Sequence, residues 1–118
     1  MVATHYTVTN LPMMGESVTA LNITAMPSQA ATTLATDYFT NTGHEILRVK
    51  NTNVASTTVT LNSTENCVFG NDHNISQVCA QNQTYDFPIL PLGRFGSTVI
   101  VTYSANYADM LVDVIKVL

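Results

Sequence analysis

Cys67, His73 and Cys79 stand at intervals of six residues, with Asp72 beside the histidine. Cysteine, histidine and aspartate are the residue types that hold zinc, which takes four such ligands in a tetrahedron. This spacing supplies three, so a fourth would have to come from elsewhere, for instance His44. The two cysteines suggest a second chemistry. A Cys67–Cys79 disulfide would close a short loop and stabilise the fold by ~3 kcal/mol, chiefly by restricting the unfolded chain. A reducing cytosol keeps such a pair open, whereas a particle released from the cell could let it close. In the third reading both thiols stay free or buried, and His73 bonds to local backbone among Asn71, Asp72 and Asn74. Spacing leaves the three readings open.

Catalytic patterns are weak. There is no Gly-x-Ser-x-Gly elbow, and His44-Glu45 runs on into Ile46, Leu47 and Arg48 without a second histidine. Gly93-Arg94-Phe95-Gly96 is too short for a phosphate loop and has no lysine. Asp109 and Asp113 would share a face with no nucleophile set against them. The expectation is a protein that performs no reaction and holds no cofactor. Asn22, Asn62, Asn74 and Asn82 begin Asn-x-Ser/Thr sequons, as composition alone would produce. Arg94 is more distinctive, being one of four cations, flanked by glycines and followed by Phe95. An arginine with an aromatic on a firm loop suits an interface anchor. It equally suits a cation–π contact on Phe87 or Phe95. A glycan-binding module would need exposed aromatics beside carboxylates, and the candidates are Tyr85-Asp86 and Tyr107 with Asp109.

The elements that would position these residues read as strands. The chain has 118 residues, enough for one domain with its own core. Eighteen threonines, eleven asparagines and seven serines accompany a hydrophobic fraction of 46% and only 10% charged residues. Threonine suits a half-buried pleat and asparagine suits turns. A net charge of −4 with four cations argues against a nucleic-acid surface and against a basic membrane-surface helix. No apolar run is long enough to cross a bilayer as a helix. Residues 1–10 have neither a basic nor an apolar leader region, so synthesis in a cytosol is expected.

Residues 1–40 read as an extended N-terminal arm or edge strands, and residues 41–118 as the core domain. Thr4 to Thr9 alternates until Leu11-Pro12 breaks it. Glu45 to Lys50 puts Leu47 and Val49 on one face, and Ser56 to Asn62 does the same with Val59 and Leu61. The short turn between these two segments predicts a β-hairpin. Ile75 to Ala80, Thr84 to Phe87 and Ser97 to Tyr103 are further strands, while Pro88 and Pro91 exclude a central strand around Ile89-Leu90. Tyr107 to Leu118 fits a helical face or a strand, and its β-branched residues favour the strand. The fold class expected is all-β, a small antiparallel β-sandwich or barrel with an extended N-terminal segment.

The stretch from Asn41 to Tyr103 also resembles a group of small tailed-bacteriophage virion proteins. The resemblance lies in Asn41-Thr42-Gly43-His44-Glu45-Ile46-Leu47-Arg48-Val49-Lys50-Asn51 and Thr57 to Leu61. It continues through Cys67, Gly70 and Asp72-His73-Asn74, then the Pro88/Pro91 loop with Arg94-Phe95-Gly96, and ends in Val99 to Tyr103. It covers just over half the chain and resides in the order and spacing of the pieces. Such proteins look like capsid decoration, or cement, proteins. The resemblance implies a homotrimer on the outer surface of the expanded head, with the major capsid protein as partner; the charge balance separately leads us to expect no nucleic acid and no membrane partner. It further implies a virion component made in the host cytoplasm. Thr7, Val8 and Leu11 are then candidates for adding to a neighbour's sheet, and Arg94 with Phe95 for a loop contact. A head–tail or tail component is the alternative structural role.

Overall fold

Alternating burial along the strands builds two facing sheets. The computed structural model describes residues 3–11, 22–24, 26–63 and 74–117. Among these, nine strands form: β1 (Val8–Asn10), β2 (Gln29–Ala30), β3 (Asp37–Thr40), β4 (Glu45–Asn51), β5 (Thr57–Ser63), β6 (Ile75–Cys79), β7 (Thr84–Asp86), β8 (Thr98–Tyr103) and β9 (Met110–Lys116). One sheet has the order β3-β8-β5-β6, all antiparallel. In the other, β4 lies between β7 and β9, and the far side of β9 carries β1 in parallel and β2 antiparallel. The inner faces meet through Leu47, Val49, Val112 and Val114 from one sheet and Val59, Leu61, Val99 and Val101 from the other. The protein is an all-β sandwich.

The hairpin expected between residues 45–50 and 56–62 does not form. β4 pairs with β7 and β9, whereas β5 pairs with β6 and β8. The link between them crosses from sheet to sheet. Asn51 organises the crossing: its side-chain amide donates to Ala55 O and Cys79 O, both at 2.9 Å, and its Oδ1 accepts from Asn53 N at 2.8 Å. Alternation states which face of a strand is buried and is silent about its neighbour. Two strands with strong apolar faces can bury them by opposing each other across a sandwich as well as by pairing side by side. The turn after β6, with Asn82 in the left-handed region at φ 57°, likewise joins strands of different sheets.

The C-terminal segment is a strand. A single 3-10 turn, Tyr107–Asp109, follows Asn106 at φ 54° and leads directly into β9. Its β-branched residues sit where the pleat packs them, and β4 pairs with it along all seven positions.

The described part of residues 1–40 is built into both sheets. Thr4 and Tyr6 pair with the outer edge of β3, through Tyr38 N to Thr4 O at 3.0 Å and Tyr6 N to Tyr38 O at 2.9 Å. The chain then crosses the side of the sandwich and becomes β1 against β9. At the crossing, the Gln29 side chain substitutes for a strand. Its Oε1 accepts from Thr7 N at 2.7 Å and its Nε2 donates to Thr7 O at 2.9 Å. Tyr6 points inward and is 1% exposed.

Beneath the crossing lies Asp37, a fully buried carboxylate. It accepts from Thr4 N at 2.8 Å, Tyr6 OH at 2.9 Å, Thr32 N at 2.8 Å and Oγ1 at 2.9 Å, and Thr33 Oγ1 at 3.0 Å. Tyr6 OH also bonds Tyr103 OH at 2.7 Å, which brings in β8. Burial alone would raise the Asp37 pKa. The converging donors outweigh it and hold the carboxyl below its ordinary value. Burial is also the main reason that both phenols are pushed well above the usual tyrosine range.

Two stability measurements follow. Asp37→Asn replaces an acceptor-only group with one that directs an amide donor at other donors. Urea titration should show a loss of about 3 kcal/mol, and a loss below about 1 kcal/mol would contradict the role given to this carboxylate. Thr57 is fully buried, and its hydroxyl has no hydrogen-bond partner among the described residues. Thr57→Val should therefore raise stability by about 1 kcal/mol in the same titration, the cost of an unanswered buried hydroxyl.

Candidate functional site

The strongest candidate for contact with another molecule is a stiffened loop at one end of the sandwich. It follows β7 and spans residues 87–97. Phe87, Leu90 and Phe95 are buried, so the loop is pinned into the core at three points. Phe87 N also donates to Leu47 O at 2.8 Å. Between the pins, Pro91 leads into a short helix, α1 (Leu92–Phe95), which Gly96 stops at φ 77°. That left-handed backbone region is one that glycine enters at little cost.

One buried polar side chain fastens this loop to the neighbouring turn, and a second holds that turn together. Asn41, 1% exposed, donates from its Nδ2 to Leu90 O at 3.2 Å and to Gly96 O at 3.1 Å. Its backbone N–H reaches Ser97 O at 2.8 Å, and its Oδ1 accepts from Gly43 N at 3.0 Å. Glu45, 3% exposed, holds the same turn from below. It accepts from Thr42 N at 2.7 Å, Thr42 Oγ1 at 2.7 Å and His44 N at 3.1 Å. Burial works to raise the Glu45 pKa, but the Thr42 and His44 donors, helped by the Lys116 charge, bring it below its ordinary value. Gly43, at φ 89°, comes near enough to Leu92 of α1 that a Cβ there would be in ordinary contact with it.

Outward, the loop displays Ile89 at 45% and Leu92 at 47% exposure, with Arg94 exposed in the last turn of α1. Large apolar side chains held outward by a rigid backbone suit recognition, because little entropy remains to be lost on binding. Phe95 requires a correction: it is 3% exposed and closes the end of the core, so it is not a surface contact. A Pro/Gly-rich loop reveals that some apolar residue must turn inward, but not which one. Ile89 and Leu92 were missed for the same reason, although a proline-bracketed apolar pair is itself a sign that one member points in and one out.

The other expected contact residues lie along β9. Thr7 is exposed and its backbone is engaged by Gln29. Val8 is half-buried and packs against the core. Leu11 is 40% exposed, and its N–H donates to Lys116 O at 2.7 Å. The next residue, Val117, bonds to His44 O at 2.9 Å, so Leu11 stands at the same end as the 41–45 turn.

Cys79 is buried and, among the described residues, a free thiol whose pKa burial pushes up to about 11. Such a group is a poor nucleophile at neutral pH. Cys67, Asp72 and His73, on which the disulfide and zinc readings depend, lie outside the described residues. Among the described residues no group of three or more His, Cys, Asp or Glu is placed to hold a metal ion. The tyrosines considered for glycan stacking are partly buried against the core. Tyr85 OH accepts from Ala80 N at 3.2 Å, and Asp86 is held by Arg48 at 2.7 and 3.0 Å. Asp109 accepts from Asn53 Nδ2 at 2.7 Å.

Comparison with protein-family models, curated proteins and solved structures gives no match.

Asp37 and Glu45 set the acid limit of the fold. Their folded pKa values lie below the unfolded carboxyl value of about 4. The stability they contribute is therefore complete above that value and is lost as pH falls through their folded pKa values. Urea midpoints measured between pH 7 and pH 2 should decline steeply below about pH 4. Glu45→Gln should start lower and decline less, and an unchanged slope would refute this assignment.

Proposed function

We propose that the chain is a non-enzymatic capsid decoration protein that binds the outer surface of a tailed-phage head through the 88–94 loop. The observation that carries this reading is the Asn41 bridge. It joins the Asn41–Glu45 turn to the Pro88/Pro91 loop, two of the separate pieces on which the likeness to phage decoration proteins rests. Pieces that are distant in sequence thus form one firm projection bearing Ile89, Leu92 and Arg94. The all-β sandwich supports the same reading, since adhesion to a shell calls for a stiff scaffold and projecting loops. The charge distribution is compatible as well: four cations, of which Arg48 is paired with Asp86, leave a surface little suited to phosphate. The proposed partner is the major capsid protein. Several copies acting together on one shell would turn modest single contacts into firm attachment.

Co-sedimentation with purified expanded heads tests the proposal. The intact protein should pellet with heads at micromolar concentration. A Leu92→Asp/Arg94→Glu variant with an unchanged circular-dichroism spectrum should bind at least about tenfold more weakly, a difference of ~1.4 kcal/mol. No binding by the intact chain defeats the reading, and full binding by the variant defeats the role given to the loop. Removing residues 1–25 is unsuitable as a test, because it takes Tyr6 out of the core.

A further inference from the structure

An exposed sheet edge offers unpaired N–H and C=O groups to any passing strand, and proteins ordinarily blunt such edges with charge, proline or cover. The outer side of β3 is covered by residues 4–6, and the outer side of β9 by β1 and β2. β7 has three residues, one of them Asp86 in its ion pair with Arg48. β6 differs. It runs for five residues, Ile75-Ser76-Gln77-Val78-Cys79, without a charge or a proline. Its only strand partner among the described residues is β5. Val78 is 57% exposed.

The register shows which groups are on offer. Thr58 of β5 turns its backbone toward β8: its carbonyl accepts from Ser104 N at 2.9 Å and its N–H donates to Ser104 Oγ at 2.9 Å. Successive residues of an antiparallel strand direct these groups to opposite sides. Thr57, Val59 and Leu61 therefore bond to their partners Cys79, Gln77 and Ile75, while Ser76 and Val78 direct theirs off the edge. The Val78 carbonyl takes a donor from the Gln77 side chain at 2.9 Å, as an acceptor without a strand would.

The flanking surface favours one visitor. The outward side chains of this sheet, including Thr58, Thr60, Thr102, Ser76 and Val78, contain no Asp, Glu, Lys or Arg. The outer face of the other sheet carries Arg48, Lys50 and Asp86, while Asp113 on the same side is buried beneath Ser28 and Gln29. Copies of a chain with net charge −4 repel each other, and among the described residues the uncharged face beside β6 lets two of them meet without opposing like charges.

We infer that β6 is a self-association edge, pairing antiparallel with β6 of a second copy about a two-fold axis through Gln77. Ser76 and Val78 then each exchange both backbone bonds with Val78 and Ser76 of the other copy, giving four new hydrogen bonds. The two Gln77 residues face each other as a non-hydrogen-bonded pair, with Cα atoms about 4.5 Å apart. The two sheets become one sheet of eight strands. An interface this narrow gives a weak, concentration-dependent dimer that crowding on a surface would reinforce. The inference does not depend on the capsid reading, because it concerns the free protein and can fail while head binding succeeds.

Sedimentation equilibrium of the full chain under reducing conditions, from micromolar to millimolar, tests it. The wild type should show a reversible monomer–dimer equilibrium. Val78→Lys, checked for an unchanged circular-dichroism spectrum, should weaken it at least about tenfold, since the pairing sets two lysines close together across the axis. Gln77→Cys in a Cys67→Ser background should form a disulfide-linked dimer on mild oxidation, as the facing Cα atoms lie within disulfide reach. A monomer at every concentration overturns the inference and leaves the edge to another polypeptide. A trimer, a dimer indifferent to Val78→Lys, or the absence of a cross-link in the Gln77→Cys variant overturns it equally.

Discussion

A buried carboxylate is tolerated only when donors fill its lone pairs, and Asp37 meets that requirement by drawing on chain segments far apart in sequence. Its donors come from residues 4–6, which run from one sheet to the other, and from residues 32–33, which precede β3. Through Tyr6 the network reaches Tyr103 at the end of β8. The side of the sandwich where the chain crosses between sheets is therefore closed by polar chemistry over an apolar core. Apolar contacts would hold the sheets together without specifying the crossing, whereas a carboxylate with several directed donors accepts one arrangement.

The same device recurs at the end of the sandwich. Asn41 and Glu45 are buried, and each answers backbone groups that a loop would otherwise leave to water. The 87–97 loop has three apolar pins inside and two apolar side chains outside, so its stiffness and its display arise from the same residues. Rigidity there derives from satisfied polar groups and inserted rings, with regular structure limited to one turn of helix. A projection of this kind keeps its shape before a partner arrives, which is what low-cost recognition requires.

Charge is distributed as unevenly as burial. The face built on β4, β7 and β9 carries the ion pair and further charges, while the face built on β3, β5, β6 and β8 presents hydroxyls, amides and aliphatic groups. A sparse set of charges placed on one side leaves the other side free to approach a neutral surface. The composition noted at the outset, rich in threonine and asparagine and poor in ions, thereby acquires a spatial meaning that a residue count lacks.

Much of the fold was legible in the chain. Period-two alternation marks Leu47, Val49, Val59 and Leu61 as core because a pleat sends successive side chains to opposite faces, which is a local property. β-branched residues mark residues 110–116 as strand for a similarly local reason, and prolines remove residues 88–91 from the sheets. Strand partnership was not legible: β4 and β5 look like a hairpin and lie in opposite sheets, because the choice depends on which distant faces must be covered. The inward turn of Phe95, the outward turn of Ile89 and Leu92, and the convergence on Asp37 belong to the same class. Each is settled by where groups distant in the chain come to lie, and only the closed three-dimensional packing of both sheets determines that.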